Sequence, residues 1–166
     1  PEGGHRICLA RDCRPHGEAL QRAFSRGVLS TGVDVIDVGV VASPMLYFAV
    51  HHLRSDGGVQ ITWSHNPAAY NGFKMMRGRS SLYGEAIQTL RHTMETGDWL
   101  TGDGQQSSDP IFETYVSYVA ENLSLGPRPL RVVVDGGNGT GGPPAVALLS
   151  RLGVEVIPLY IEMDGS

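Results

Sequence analysis

The alternation of strands and turns in this chain is clearest at Gly57-Gly58-Val59-Gln60-Ile61-Thr62, which runs directly into Trp63-Ser64-His65-Asn66-Pro67. The first six residues alternate apolar and polar side chains after a glycine turn, a pattern typical of a short strand. Pro67 fixes its own φ and biases Asn66 away from helix, so the chain turns here. Ser64 is therefore predicted to lie in a bend at the carboxyl end of a strand, where open α/β sheets bind their ligands.

Strands and helices alternate on both sides of this segment. Apolar runs predict strands at residues 7–10, 33–38 and around 73–76, and apolar residues at helical spacing predict helices at 16–29, 44–53 and 82–94. Ser43 before Pro44 predicts a capped helix start. Residues 96–108 are rich in glycine and polar side chains and are predicted to be a connector. Asp109-Pro110 predicts the start of a helix over residues 111–123.

A proline- and glycine-rich segment, Gly126-Pro127-Arg128-Pro129, interrupts this pattern and predicts a domain boundary. After it, a strand of the buried type at residues 130–135, a helix at 143–152 and a strand at 154–161 form one βαβ unit. A single unit is too small to bury both faces of its sheet. We therefore expect one domain at residues 1–126 and the truncated start of a second at 127–166.

The composition describes an ordinary globular protein of 166 residues, with 41% hydrophobic and 18% charged residues. No apolar run approaches the length of a membrane span, and the first residues lack the layout of a signal peptide. A net charge of -4 argues against a nucleic-acid binder. Cys8 and Cys13 match neither a redox pair nor a zinc site, so we expect a reduced, cytoplasmic setting.

The bend at Ser64 is the candidate site for chemistry. A serine hydroxyl needs a base, a metal or prior conversion to a phosphate ester before it takes part in phosphoryl transfer. His65 and Lys74, the only lysine in the chain, are the candidate proton carriers. The same residues also fit a hydrogen-bonded turn without catalytic function. No Gly-x-Ser-x-Gly elbow surrounds Ser64, which weakens a hydrolase interpretation.

Four motifs together give the loop a specific context. They are Thr62-Trp63-Ser64-His65-Asn66-Pro67 with Tyr70-Asn71-Gly72-Phe73-Lys74, Ala10-Arg11-Asp12-Cys13-Arg14, Asp37-Val38-Gly39 with Ser43-Pro44 and Tyr47-Phe48-Ala49, and Val134-Asp135-Gly136-Gly137-Asn138-Gly139. In these motifs the chain resembles the α-D-phosphohexomutase family, the phosphomannomutases and phosphoglucomutases. The resemblance implies a three-layer αβα domain with a mixed sheet, followed by the first βαβ unit of a second, similar domain.

The resemblance also implies an activity, that of an isomerase of carbohydrate metabolism. Ser64 would be a phosphoserine that passes its phosphoryl group to a hexose phosphate, forming a hexose 1,6-bisphosphate. Return of the other phosphate would interconvert hexose 1-phosphate and hexose 6-phosphate. The family's cofactor is Mg²⁺, for which Ser64 would be a ligand beside a loop of aspartates that this sequence lacks.

Further roles follow from the same resemblance. Lys74 would transfer a proton or neutralise the phosphoryl group. His65 would orient the loop or shuttle a proton. Asn66 and Asn71 would brace the loop through bonds from side chain to backbone. For Arg11, Asp12 and Arg14, we expect a turn held by an internal ion pair rather than direct contact with the substrate.

The sequence departs from the family pattern in several places. Trp63 replaces a small residue before the serine, Ser43 replaces the usual threonine, and Ala68-Ala69 replaces a position that is often acidic. The family's amino-terminal segment and its third and fourth domains have no counterpart in this sequence. We therefore expect the remaining domains of the full-length enzyme to be partners and the isolated chain to be inactive.

Two alternatives stay open. Gly137-Asn138-Gly139-Thr140-Gly141-Gly142 fits a dinucleotide fingerprint, with Glu162 about 20 residues on. Against it, Pro143-Pro144 removes amide donors at the start of the helix. The other alternative is a non-catalytic, diverged mutase-like domain that binds a sugar phosphate or a partner without turnover.

Overall fold

The computed structural model describes residues 3–63, 66–67 and 69–165. Its strands are β1 (Arg6–Arg11), β2 (Asp34–Val40), β3 (Gly57–Ile61), β4 (Phe73–Arg77), β5 (Ser80–Ser81), β6 (Gln106–Ser108), β7 (Arg131–Asp135) and β8 (Glu155–Leu159). Its helices are α1 (Gly17–Leu29), α2 (Ser43–His52), α3 (Glu85–Thr96), α4 (Phe112–Glu121) and α5 (Gly142–Arg151). None of the helices in the described part of the chain has both the length and the apolar character needed to cross a bilayer.

Six strands form one mixed sheet in the order β5-β4-β3-β1-β2-β6. Strands β1, β2, β3 and β6 run parallel, while β4 and β5 are antiparallel to their neighbours. β1 is central, with β2 on one side and β3 on the other. The chain therefore changes direction across the sheet at β1, and this is the switch point at which α/β folds open a crevice.

Helices cover both faces of this sheet and make the three layers that were predicted. On one face, Leu9, Val59 and Ile61 are buried against Leu20 and Phe24 of α1. On the other face, α2 packs against the strands, with α4 beside it. The buried residues of this core are the following: Cys8, Ala10, Val38, Met45, Leu46, Ala49 and Ile111. Alternate residues of β1 thus enter different cores, as the period of two in a strand requires. The α/β fold class is confirmed.

The start of α2 differs from the prediction. The helix begins at Ser43 itself, its N-cap is Ala42, and no side chain makes a capping hydrogen bond. Ala42 is already in the extended conformation, with φ of -73° and ψ of 151°, so the turn into the helix comes one residue earlier than expected. Pro44 still lies in the first turn, where its missing N–H costs no hydrogen bond.

The predicted connector at residues 96–108 is wrong at its end, because Gln106–Ser108 forms the edge strand β6 parallel to β2. All three residues of β6 are exposed and polar, so the strand carries no apolar signal that a sequence pattern could detect. Gly104 allows the approach, since a Cβ there would lie 2.2 Å from the carbonyl oxygen of Val33. The short strand β5 was missed for the same reason.

A separate two-stranded parallel sheet, β7 with β8, follows residue 126 and is covered by α5. The prediction of a buried-type strand is wrong for β7, whose residues alternate between exposed and half-buried, with Val133 57% exposed. One helix covers only one face of this sheet. α5 also contacts α4, where Arg151 Nη2 lies 2.9 Å from Glu113 Oε2. The division into domains near residue 126 stays a prediction.

Candidate active site

A cleft, which we call the main cleft, opens where the parallel strands β1, β2 and β3 end. Asp12 follows β1, Ala42 and Ser43 follow β2, and Thr62 follows β3. The cleft has a volume of about 560 Å³. Its wall on this side consists of the following residues: Asp12, Cys13, Arg14, Ala42, Ser43, Gln60, Thr62, Asn66 and Pro67. Sequence reasoning predicted this edge of the sheet as the ligand site.

The opposite wall comes from the turn between β7 and α5, through residues 137–140, and from Gly165. The two walls touch at Cys13, whose thiol lies 3.6 Å from the carbonyl oxygen of Asn138. Gly165 has a φ of +73°, and a Cβ there would lie only 2.3 Å from the carbonyl oxygen of Cys13. Glycine is therefore required where the segment after β8 crosses the turn after β1.

Asp12 joins the ends of β1 and β3. Its Oδ1 accepts a hydrogen bond from the Arg14 backbone N–H at 3.0 Å. Its Oδ2 accepts from Arg14 Nε at 3.1 Å and from the Thr62 hydroxyl at 2.7 Å. The Asp12 and Arg14 side chains are 13% and 10% exposed, so water screens this ion pair little. The predicted internal ion pair of the turn is confirmed.

Arg14 extends from this ion pair to the backbone of the segment that follows Ser64 and His65. Its Nη1 donates to the carbonyl oxygens of Pro67 and Tyr70, at 2.8 and 3.1 Å. Its Nη2 donates to the carbonyl oxygen of Asn66 at 2.9 Å. The planar fork of a guanidinium is what allows one side chain to hold three carbonyls. These contacts, which we call the Arg14 clamp, were not predicted from the sequence.

Ser64, the predicted phosphoserine, and its neighbour His65 lie outside the described residues. The backbone on both sides of them is described. The Thr62 N–H donates to the Gly72 carbonyl oxygen at 2.9 Å, and the Asn66 N–H donates to the Trp63 carbonyl oxygen at 3.1 Å. The segment between β3 and β4, residues 62–72, is the serine loop. Backbone hydrogen bonds therefore fix the described parts of this loop on both sides of Ser64 and His65.

The two asparagines differ. Asn66 Nδ2 donates to the Trp63 carbonyl oxygen at 3.3 Å, so its predicted bracing bond is confirmed. Asn71 differs: among the described residues, neither polar atom of its half-buried side chain has a hydrogen-bond partner, so its bracing role stays a prediction. The bond that closes this turn is instead the backbone bond between Thr62 and Gly72.

Lys74 lies on β4, where it pairs with Gln60 of β3. It lines a second cleft of about 240 Å³ together with Thr62, Trp63, Asn66 and Phe73. Lys74 thus shares a cleft with residues on either side of Ser64 in sequence. Two of these residues, Thr62 and Asn66, line the main cleft as well.

Trp63 lies against Gly72. A Cβ at position 72 would be 2.0 Å from Trp63 Cε3 and 2.3 Å from Cζ3, so the indole occupies the space of that missing side chain. The ring is nevertheless 42% exposed. The bulky replacement in the serine motif is therefore accommodated by the glycine of the Tyr-Asn-Gly motif.

The hydrogen bonds of the Arg11 side chain go to residues outside the serine loop. Its Nε donates to Gln21 Oε1 of α1 at 3.0 Å, and its Nη1 donates to the Asp12 carbonyl oxygen at 3.1 Å. Its side chain lines a different cleft, on the α1 side of the sheet. Arg14 and Asn66 are thus the two predicted support residues that contact the loop.

The described residues do not form a Mg²⁺ site. They contain no group of three or more His, Cys, Asp or Glu side chains that could hold a metal. Among the described residues that line the main cleft, Asp12 is the one carboxylate, and both of its oxygens already accept hydrogen bonds from Arg14 or Thr62. Mg²⁺ and the role of Ser64 as one of its ligands stay predictions.

The first amides of the glycine-rich turn before α5 are used within the fold and do not face a ligand. The N–H groups of residues 136–139 donate to acceptors within the same βαβ unit, namely Leu159 O, Asp135 Oδ1, Tyr160 O and Gly136 O. A dinucleotide site needs such amides for the pyrophosphate. The geometry therefore counts against the dinucleotide alternative.

Gln60 is a cleft residue that sequence reasoning missed. It is 1% exposed, and its Nε2 donates to the Val41 carbonyl oxygen at 2.8 Å, which ties β3 to the segment after β2. Within the described residues its Oε1 has no hydrogen-bond partner. The available signal was a polar side chain in the middle of a strand that is otherwise apolar.

Cys13 is the titratable cleft residue with a shifted pKa. Burial, together with the negative charge of Asp12, raises the pKa of its thiol above the ordinary value. The thiol is therefore protonated at neutral pH and is not a nucleophile there.

These features define an αβα domain with a cleft at the carboxyl ends of its parallel strands. A family model described as phosphoglucomutase/phosphomannomutase, alpha/beta/alpha domain I, matches residues 1–101. The chain belongs to the phosphoglucomutase/phosphomannomutase family.

Individual relatives agree. The chain is 41% identical to a phosphoglucomutase of Neisseria meningitidis serogroup A, over 99% of this chain and 36% of that protein. It is 39% identical to a phosphomannomutase/phosphoglucomutase of Pseudomonas aeruginosa, over 96% and 34%. A crystal structure of a family protein from Burkholderia thailandensis superposes with a TM-score of 0.92 at 37% identity, covering 99% of this chain and 37% of that one. The chain thus spans about a third of the length of these relatives.

Proposed function

We propose that this chain carries the phosphoryl-accepting serine of an enzyme that interconverts hexose 1-phosphates and hexose 6-phosphates. Ser64 is the carrier, and a hexose 1,6-bisphosphate is the intermediate. The observation that supports this most is the Arg14 clamp, which holds the backbone just after Ser64 at the edge of the main cleft. The names of the relatives supply the class of substrate.

The transfer step balances without an additional reactant. A bond forms between Ser64 Oγ and the phosphorus of the bisphosphate, while the bond from that phosphorus to the sugar oxygen breaks. The proton lost by the serine hydroxyl passes to the sugar oxygen, and His65 or Lys74 carries it. In the reverse step, the phosphoryl group passes from Ser64 to the oxygen at the other end of a hexose monophosphate and forms the bisphosphate again. The two steps together interconvert hexose 1-phosphate and hexose 6-phosphate.

Charge supports a role for Lys74. A phosphoserine carries about -1.5 to -2 charges near neutral pH, so positive charge must lie near it. Arg14 is already balanced by Asp12, which leaves that pair neutral. Lys74, on the second cleft beside Trp63 and Asn66, adds a positively charged side chain near the serine loop.

Net interconversion also needs binding sites for the sugar ring and for the phosphate at its other end. Because the chain spans about a third of the length of its relatives, we assign these functions, and the remaining ligands of Mg²⁺, to the other domains of the full-length enzyme. The isolated chain is then expected to accept a phosphoryl group but not to complete turnover.

Intact-mass spectrometry tests the proposal. The chain is incubated with glucose 1,6-bisphosphate and Mg²⁺, and we expect a mass increase of one phosphoryl group. Ser64→Ala should abolish the increase. Ser43→Ala, a serine on the wall of the same main cleft, is the matched control and should keep it.

Failure of the wild-type chain to gain the phosphoryl group would contradict the proposal. Binding of glucose 1,6-bisphosphate without a covalent adduct would support the non-catalytic alternative instead. An adduct that persists in Ser64→Ala would show that another residue is the acceptor.

A further inference from the structure

The cleft on the α1 side of the sheet, which we call the α1 cleft, lies between helix α1, the end of β1 and the edge strand β6. We propose that it binds the phosphate group of a small anionic molecule. The α1 cleft shares no described lining residue with the main cleft or with the second cleft. It is therefore a separate site, and its occupation does not depend on the proposed function.

Helix α1 presents polar side chains to this cleft. Its apolar residues Leu20 and Phe24 pack on the sheet, whereas Gln21 and Ser25, each one position further along, line the cleft one helical turn apart. Ser25 is only 4% exposed, and its hydroxyl donates to Gln106 Oε1 of β6 at 2.7 Å. This hydrogen bond joins two walls of the cleft and fixes their separation.

The α1 cleft carries a net positive charge. Its described lining residues include three arginines, Arg11, Arg22 and Arg26, and two carboxylates, Glu18 and Asp37. Arg22 pairs with Glu18 one turn away on α1, so this pair is neutral. Two arginines then remain against one carboxylate, in a chain whose net charge is -4. A positively charged cleft on a negatively charged protein raises the local concentration of a small anion.

Several hydrogen-bond donors that line the cleft are not used by the fold. Arg11 is held by two bonds, from Nε to Gln21 Oε1 at 3.0 Å and from Nη1 to the Asp12 carbonyl oxygen at 3.1 Å. The following donors make no hydrogen bond to another described residue: Arg11 Nη2, Gln21 Nε2, Gln106 Nε2 and the Arg26 guanidinium. Because Arg11 is already fixed, it loses little side-chain entropy when a ligand binds.

A phosphate group suits these donors better than a carboxylate does. The donors come from three elements, β1, α1 and β6, and a phosphate offers at least three oxygens to them where a carboxylate offers two. The planar guanidinium also matches the geometry of a phosphate bidentately. The cleft volume of about 450 Å³ is within the range of sites for small molecules. The group can come from inorganic phosphate or from a phosphate monoester.

Nuclear magnetic resonance of the ¹⁵N-labelled chain tests the site, with inorganic phosphate as the probe at constant ionic strength. We expect the backbone amide signals of Gln21, Ser25 and Gln106 to shift saturably. Arg26→Gln removes one of the unused donors and should weaken binding at least about fivefold. Arg91→Gln removes the same charge from the exposed helix α3, outside the cleft, and should keep the affinity within about twofold.

Three results would overturn the proposal once a circular-dichroism melt shows that both variants fold. The first is the absence of a saturable shift at these amides up to about 20 mM phosphate. The second is an unchanged affinity in Arg26→Gln. The third is an equal loss of affinity in Arg26→Gln and Arg91→Gln, because net charge rather than the cleft would then explain the binding.

Glycerol 3-phosphate and acetate, titrated in the same way, identify the ligand. Tighter binding of glycerol 3-phosphate than of inorganic phosphate assigns the site to a phosphate monoester, and equal binding assigns it to inorganic phosphate. Both results support a phosphate site, whereas acetate binding as tightly as phosphate would contradict it.

The inference and the proposed function can fail separately. Ser64→Ala should bind phosphate in the α1 cleft as tightly as the wild type does. Arg26→Gln should gain a phosphoryl group on Ser64 at the wild-type rate, because Arg26 lines neither the main cleft nor the second cleft.

Discussion

The Thr62 hydroxyl donates a 2.7 Å hydrogen bond to Oδ2 of Asp12 and thereby joins the ends of β3 and β1. The same carboxylate pairs with Arg14, which holds the backbone that follows Ser64. Thr62, which is 50 residues away from Asp12 in sequence, thus forms one chain of bonds with Asp12 and Arg14 that runs from the sheet to the serine loop. The loop's position follows from the sheet's geometry through these side chains.

Replacing Thr62 by valine removes the hydroxyl and keeps the shape. Thr62 is buried, so the Asp12 carboxylate loses a donor that water cannot readily replace, and we expect unfolding free energy to fall by about 1–2 kcal/mol. Urea denaturation measures the change. Thr62→Ser keeps the hydroxyl and should recover most of the loss, whereas equal losses in both variants would contradict a role for the hydrogen bond.

Gly72→Ala should be destabilising because of Trp63. Gly72 is not among the described glycines with positive φ, so the backbone itself tolerates alanine. The added methyl group would enter the indole, and we expect a loss of about 1–3 kcal/mol. In a Trp63→Gly background the same change should cost less than about 1 kcal/mol. Additive effects in this double-mutant cycle would show that the two residues do not contact each other.

Asp56 makes stability depend on pH in a defined direction. Its carboxylate accepts hydrogen bonds from the backbone N–H groups of His5 and Arg6 at 2.7 and 3.0 Å, and these bonds lower the pKa of Asp56. A lowered pKa in the folded state stabilises the protein above the unfolded pKa of about 3.9, and the contribution is lost as pH falls through the folded value.

Asp56→Ala should therefore reduce unfolding free energy at neutral pH, and its difference from the wild type should shrink below about pH 4. Asp56→Asn keeps an acceptor without the charge and should show an intermediate, flatter profile. Denaturant titrations across the pH range measure both. A deficit that stays constant into acid would contradict the account.

Cys13 should react slowly with thiol reagents at neutral pH. Burial and Asp12 raise its pKa, so its modification rate should keep rising above about pH 8.5, where an ordinary thiol levels off. Cys8 is fully buried and should react later still. Ellman's reagent follows the kinetics, and Cys13→Ser should remove the first phase. Fast modification with a plateau near neutral pH would be the contrary result.

The sequence was sufficient for features that depend on local patterns. β3 and the ion pair between Asp12 and Arg14 involve neighbours in the chain, so periodicity and spacing predicted them. The edge strand β6 was missed because Gln106–Ser108 is polar and exposed, and its pairing with β2 comes only from tertiary structure.

The candidate site also has a part that the sequence predicted and a part that it did not. The motif around Ser64 identified the loop, but the Arg14 clamp uses backbone carbonyls, which are the same in every residue and leave no trace in a side-chain pattern. The contact of Gly165 with Cys13 depends on a crossing of segments that are far apart in sequence. Such contacts follow from the path of the chain and had to be read from the structure.

The central claim is that the Arg14 clamp presents Ser64 for phosphoryl transfer. Its most direct test is the rate at which Ser64 gains a phosphoryl group from glucose 1,6-bisphosphate, measured by mass spectrometry of the tryptic peptide 55–74. Arg14→Lys keeps the charge but loses the fork, so we predict loading at least about tenfold slower than in the wild type. Ser43→Ala should load normally. Equal loading in folded Arg14→Lys and wild type, or no phosphoryl group on this peptide, would contradict the claim.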